Sequence, residues 1–249
     1  MTGSGFLKLS WVEAKLFLRE PVAMLFTLAY PLVVMFVIAG VFNGSTGPAF
    51  LGVPGSEYYV VSNLAVPVAA LGLIALPLRV TGYVEGGVMR RFRASSVPAV
   101  AVILAQALIC FVVGLVATAL LLAVARPVYV YAFPQHFAGV ALGYLLGMAA
   151  FLSLGLLIAA LFPSSRAAQG AGLILFFVMY LICGAGPPLG VLPTGMRDVA
   201  DFDPMKYAVQ VLQDPWFGHA AAWSAPVILA GVAAVSASAA VLLFHRRWD

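Results

Sequence analysis

The side chains able to do chemistry in this chain are few and scattered. His136, His219 and His245 stand far apart, with no cysteine at ligand spacing, so no zinc-type cluster is spelled out. Cys110 and Cys183 both fall inside apolar runs and read as small buried hydrophobes rather than a redox pair. Ser153, Ser236 and Ser238 have no evident base beside them, and a hydroxyl without a base is a weak nucleophile. No Gly-x-x-x-x-Gly-Lys-Ser/Thr run occurs, so the chain lacks the backbone cradle and lysine that hold nucleotide phosphates. The sequence thus offers no catalytic, cofactor-binding or metal-binding residue. One cluster remains, Glu85 to Pro98 (EGGVMRRFRASSVP), where Arg90, Arg91 and Arg93 stand beside Val88, Met89 and Phe92. Guanidinium forks suit ion pairing at interfaces, and apolar residues at near-helical spacing beside them suggest a short helix docking on a partner. A solvated basic loop is the alternative.

The elements that must carry this cluster follow from composition. The 249 residues are 63% hydrophobic and 9% charged, with mean hydropathy +1.07, whereas soluble domains run at roughly 45–50% apolar and about 25% charged. A soluble core of this size cannot hide so much apolar surface. Soluble enzymes and disordered regulators are excluded, and the net charge of +4 does not signal a nucleic-acid partner. Six runs, about 22–42, 58–78, 99–125, 137–162, 167–186 and 222–244, contain no Asp, Glu, Lys or Arg and approach or exceed the ~20 residues needed to cross a bilayer. They are continuous, not the alternating ~10-residue stretches of a barrel. The expected fold is an all-α integral membrane protein with six transmembrane helices, a single domain over 1–249. The first run exceeds the ~7–15 residues of a signal core and reads as a retained helix. Pro31, Pro67 and Pro77 are expected to kink the first two spans, and Gly143 and Gly147 have the GxxxG spacing of close helix packing. No internal repeat is evident.

Orientation follows from the basic residues. With the N-terminus inside, ten of the thirteen Lys and Arg fall on inner segments, leaving Arg126, Arg197 and Lys206 outside. That bias predicts a multi-pass protein of the cell (inner or plasma) membrane with both termini cytoplasmic.

Two further pieces outside the spans stand out. Over about 4–20, Phe6, Leu7, Trp11, Ala14, Phe17 and Leu18 share a face flanked by Lys8, Lys15 and Arg19, the pattern of a helix lying in the headgroup layer of the lipid bilayer. A plain cytoplasmic extension is the alternative. Over about 187–221, Asp203-Pro204 reads as an N-cap with proline at the first helical position. A short helix to about Gln213 follows, stopped by Asp214-Pro215. The segment is apolar enough for an outer re-entrant helical hairpin; an ordinary loop is the alternative.

These pieces, in this order, resemble the permease subunits of type-2 ATP-binding-cassette exporters, in particular the drug- and antibiotic-exporting branch. Three motifs carry the likeness: Glu13 to Pro21 (EAKLFLREP) leading to Tyr30-Pro31; Glu85, Gly87 and Arg90 to Pro98 (RRFRASSVP); and Leu192-Pro193 followed by Asp203-Pro204 and Tyr207. Tyr83 and Val88 depart from the family pattern, which has a second acid and a threonine at these places. The resemblance implies an interfacial helix with Trp11, Lys15 and Arg19. It implies a coupling helix at about 83–96, with Glu85, Gly87, Arg90, Arg91, Phe92 and Arg93 facing ABC-type ATPase subunits on the cytoplasmic face. It also implies a re-entrant hairpin marked by Pro193, Asp203, Pro204 and Tyr207. A second permease chain, in a homodimer or heterodimer, completes the substrate path, and ATP and Mg belong to the partner ATPase.

Spans without charge speak against proton- or sodium-coupled transport, which places ionisable or coordinating groups near the midplane. They favour energy delivered from outside the membrane and a small amphipathic substrate: a drug, an antibiotic or a lipid-like molecule. Two other classes stay open on residues alone: a stand-alone secondary carrier or channel, and a membrane enzyme for lipid-linked substrates relying on a residue such as His136 or Asp201.

Overall fold

The computed structural model describes residues 11, 15–17, 19–87, 99–219 and 222–248. Most of the expected surface helix, and the stretch 88–98 with Arg90, Arg91, Phe92 and Arg93, lie outside the described residues. Among the described residues there is no strand, and six helices are long and apolar enough to cross a membrane. These are α1 (Pro21–Val41), α2 (Pro48–Glu85), α3 (Ala99–Ala125), α4 (Phe137–Leu161), α5 (Ser165–Ile182) and α8 (Ser224–Trp248). Two shorter helices, α6 (Thr194–Ala200) and α7 (Pro204–Phe217), lie between α5 and α8. Residues 19–21, 85–87, 161–165 and 245–248 gather at one end, here the base, and 42–54, 126–136 and 183–223 at the other, the crown.

The axis of the bundle is α2. Its most apolar 18-residue stretch is wholly buried, whereas those of the other five spans are 22–50% buried. It is a broken rod: a 3-10 turn at Pro48–Phe50, helices Gly55–Ser62 and Ala65–Ala70, a π-turn Leu71–Ala75, and helix Leu76–Glu85. The π-turn has a local cause. Leu76 N donates to Leu71 O, and Pro77 has no N–H for Leu73 four residues back or Gly72 five back. Those two carbonyls meet glycines of the neighbours. A Cβ on Gly155 of α4 would stand 2.0 Å from Gly72 O, and one on Gly172 of α5 would stand 1.7 Å from Leu73 O. α1 repeats the device, with a π-turn at Leu25–Ala29 before Tyr30-Pro31.

Three expectations need correction. First, the span expected over 58–78 without charge belongs to a longer helical run that holds Glu57, Arg79 and Glu85. Arg79, one residue past the expected run, is buried in a helix that continues to Gly86 and Gly87, where φ is +67° at Gly87. Positions 83–85 of the expected coupling helix are therefore the last turn of α2. Second, α7 does not stop at Asp214-Pro215. It runs through Pro215 to Phe217 and ends at Gly218, φ +74°. Pro215 only deprives Val211 O of its donor, and that carbonyl lies 2.4 Å from where a Cβ of Gly143 would be. The GxxxG glycine thus serves α7. Third, α5 ends at Ile182, ahead of Gly184 with φ +92°, short of the end of the run expected over 167–186.

The contact at Gly172 is testable against its neighbour Gly170, which faces open space. Gly172→Ala sets a methyl against a backbone carbonyl, and overpacking of this kind costs about 1–3 kcal/mol. Gly170→Ala should be neutral or stabilising by up to about 1 kcal/mol, since glycine weakens a helix by that much. Tm of the detergent-purified variants should fall for Gly172→Ala and hold or rise for Gly170→Ala.

Candidate functional site

At the base, the last turns of α2 are joined to four elements. The Glu85 carboxylate accepts from Ser165 N and Ser165 Oγ, both at 2.8 Å, so an acid sits at the N-terminus of α5, where unpaired N–H groups favour negative charge. Thr81 Oγ1 donates to Ala159 O of α4 at 3.5 Å, and Gln106 Nε2 of α3 donates to Tyr83 Oη at 3.4 Å. The Arg79 guanidinium lies 5.5 Å from the centre of the Phe17 ring, which is fully buried. Phe17 belongs to the short helical stretch Lys15–Phe17. On the exposed side Lys15 Nζ lies 5.3 Å over the Trp11 ring, and Arg19 is exposed in the turn before α1.

Of the residues singled out for ATPase coupling, Glu85 faces α5 and Gly87 closes α2, while the arginines and Phe92 lie outside the described residues. Sequence reasoning missed Arg79, Thr81 and Ser165, and it gave Phe17 to the apolar face of the headgroup-layer helix, whereas the structure buries it beside Arg79. Phe17 and Arg79 are sixty-two residues apart, and no local pattern pairs them.

At the crown, α7 is inserted among α2, α4, α5 and α8 with Met205, Ala208, Leu212 and Trp216 buried. Gln213 Nε2 donates to Ser62 Oγ at 2.7 Å, Ser62 Oγ donates to Tyr58 O at 2.6 Å, and Tyr58 Oη donates to Gly184 O at 3.0 Å. Glu57 Oε1 accepts from Ala132 N at 2.9 Å, tying α2 to the loop after α3. Asp203 caps α7, its Oδ1 accepting from Met205 N at 2.8 Å with Pro204 at the first helical position. Tyr207 Oη donates to the Asp201 carbonyl at 2.8 Å, and Lys206 pairs with the Asp201 carboxylate. Pro193 stands at the start of α6. Asp203, Pro204 and Tyr207 therefore build one helix start, and none of their contacts is an active-site constellation. Among the described residues no group of three or more His, Cys, Asp or Glu gathers as a metal would need.

Asp203 is buried and its Oδ2 has no partner. Burial pushes its carboxyl up to about 7, against the opposing bond from Met205 N. A raised acid favours the folded state while protonated. That contribution is complete below the ordinary carboxyl range, near 3.8, and is lost as pH rises through about 7. Tm should therefore decline between pH 5 and pH 8 more steeply in the wild type than in Asp203→Asn, which keeps an acceptor for Met205 N. Identical slopes would contradict the assignment.

A family model described as ABC-2 type transporter matches residues 5–217. No curated protein matches the chain. The match takes in α1 to α7 together with the base and crown contacts just described. The chain belongs to the ABC-2 type transporter family, as the membrane permease component of an ABC transporter that works with an ATPase subunit.

Proposed function

We propose that this permease is the membrane half of an ATP-driven exporter. Two permease chains pair, as a homodimer or with a relative, so that the path lies between them. Two separate ATPase subunits, which bind ATP and Mg, dock on the base, and the excess of Lys and Arg on that side supports a cytoplasmic base. The observation that carries the reading is the wiring of the last turns of α2. Glu85, Thr81, Tyr83 and Arg79 bind α5, α4, α3 and Phe17, and the basic segment 88–98 follows directly after Gly87. A push on that segment by a closing ATPase pair has a direct route to four elements, and rigid elements move as bodies when their contacts hold. These 249 residues contain no phosphate-binding loop, which supports a push delivered by a separate ATPase subunit. The apolar spans suit a small amphipathic substrate of the drug, antibiotic or lipid-like kind, as carried by the drug-exporting branch that the motifs resemble.

Two variants separate docking from transmission. Arg90→Glu with Arg91→Glu and Arg93→Glu should release the ATPase subunits from the detergent-solubilised complex in a pull-down. Glu85→Ala should retain them but cut ATP-dependent substrate flux in liposomes severalfold, because the start of α5 at Ser165 loses its base-side link to α2. Full retention of the ATPase by the triple variant sinks the docking reading. Uphill transport by the purified permease alone, driven by an ion gradient, would replace the exporter with a secondary carrier.

A further inference from the structure

α3 and α4 are bridged by side chains. Met148 and Tyr144 of α4 reach across to Gly114 of α3, where a Cβ would stand 2.5 Å from Met148 Cε and 2.8 Å from Tyr144 Oη. Toward the crown lies a cavity of about 530 Å³, walled by both helices, floored by Leu212 and Trp216 of α7 and roofed by the loop 126–136. Leu115 and Leu145 on its walls and Phe133 at its roof are exposed, so the cleft opens on the perimeter of the bundle, where the bilayer lies.

Two features identify what enters. The polar groups lining the cleft already bond within the protein. Thr118 Oγ1 donates to Tyr144 Oη at 3.4 Å, Tyr131 Oη to Leu122 O at 2.8 Å, and Trp216 Nε1 to Ala132 O at 3.0 Å. Each of these polar groups already has a partner within the protein, and the rest of the lining is aliphatic or aromatic, so the interior suits hydrocarbon. At the rim stands a cation. The exposed Arg126, one residue past the crown end of α3, has its guanidinium 5.1 Å from the centres of both the Tyr131 and the Phe133 ring and donates to Tyr131 O. Tyr131 and Phe133 themselves line the cleft. Among the described residues no carboxylate pairs with Arg126, and a guanidinium has further N–H donors in a planar fork that matches phosphate oxygens.

A fixed cation at the interface above a dry, laterally open apolar slot has the layout of a phospholipid turned inside out. We infer that this cleft is a binding site for an anionic phospholipid of the crown-side leaflet, with one acyl chain between α3 and α4 and the headgroup phosphate on Arg126. The assignment does not depend on what the protein transports.

Trp216 on the floor supplies the readout. The purified permease is placed in phosphatidylcholine vesicles containing increasing fractions of phosphatidylglycerol with brominated acyl chains, or of brominated phosphatidylcholine. The Trp216 fluorescence is taken as the difference between wild type and Trp216→Phe. Quenching should reach half its maximum at a severalfold lower fraction of brominated phosphatidylglycerol than of brominated phosphatidylcholine. Arg126→Gln should abolish that preference. Ala141→Phe, which fills the cleft from the α4 wall, should weaken quenching by both lipids while Tm stays near the wild-type value. Should Ala141→Phe not fold, Leu115→Phe, from the α3 wall, takes its place. Equal curves for the two lipids in the wild type, or an undiminished curve in the filled variant, overturn the proposal. Quenching that is relieved by an amphipathic dye but indifferent to Arg126→Gln would instead assign the cleft to a transported compound.

Discussion

Pro77 has no amide hydrogen, and in the middle of a buried transmembrane helix that creates a problem the whole bundle is arranged to solve. Backbone carbonyls left open in hydrocarbon are costly, so irregular backbone survives at depth only when protein covers it. Here the carbonyls of Gly72 and Leu73 lie against Gly155 and Gly172, where any side chain would collide with them. Glycine brings its Cα hydrogens up to the oxygen, a weak contact of ~0.5–1 kcal/mol, and removes the carbonyl from lipid altogether. The same proline therefore interrupts the regular ladder of α2 where the glycines let α4 and α5 come close to it. Pro215 and Gly143 repeat the arrangement between α7 and α4, which is how a crown helix comes to be wedged among membrane spans.

An axis fixed by backbone contact over its middle can still act at its ends. At the crown α2 is held by neutral hydrogen bonds through Ser62 and Tyr58 and by the Glu57 carboxylate. At the base the links are of another kind: a carboxylate on a helix N-terminus, long polar contacts at 3.4–3.5 Å, and a guanidinium on a ring. These side-chain links add to the packing of Leu76–Glu85 against α4 and α5. α3 is held differently again. Met148 and Tyr144 of α4 reach across to it at Gly114, and the space between the two helices toward the crown is the cleft that Arg126 overlooks.

By itself the sequence determined the class of the molecule: six apolar runs, the absence of a phosphate loop, the asymmetry of basic residues, and the places where proline and glycine interrupt regular helix. Those are statements about transfer energy and local hydrogen-bonding capacity, which each stretch carries wherever it ends up. It also marked the start of α7, because the Asp203-Pro204 cap is made within three residues. Only the tertiary structure decided which carbonyl meets which glycine, that Arg79 is buried against Phe17, that Glu85 turns to Ser165, and that α7 continues through Pro215. The reason is physical. A proline announces a missing donor, but whether the chain stops or continues there depends on what a distant helix offers the orphaned carbonyl.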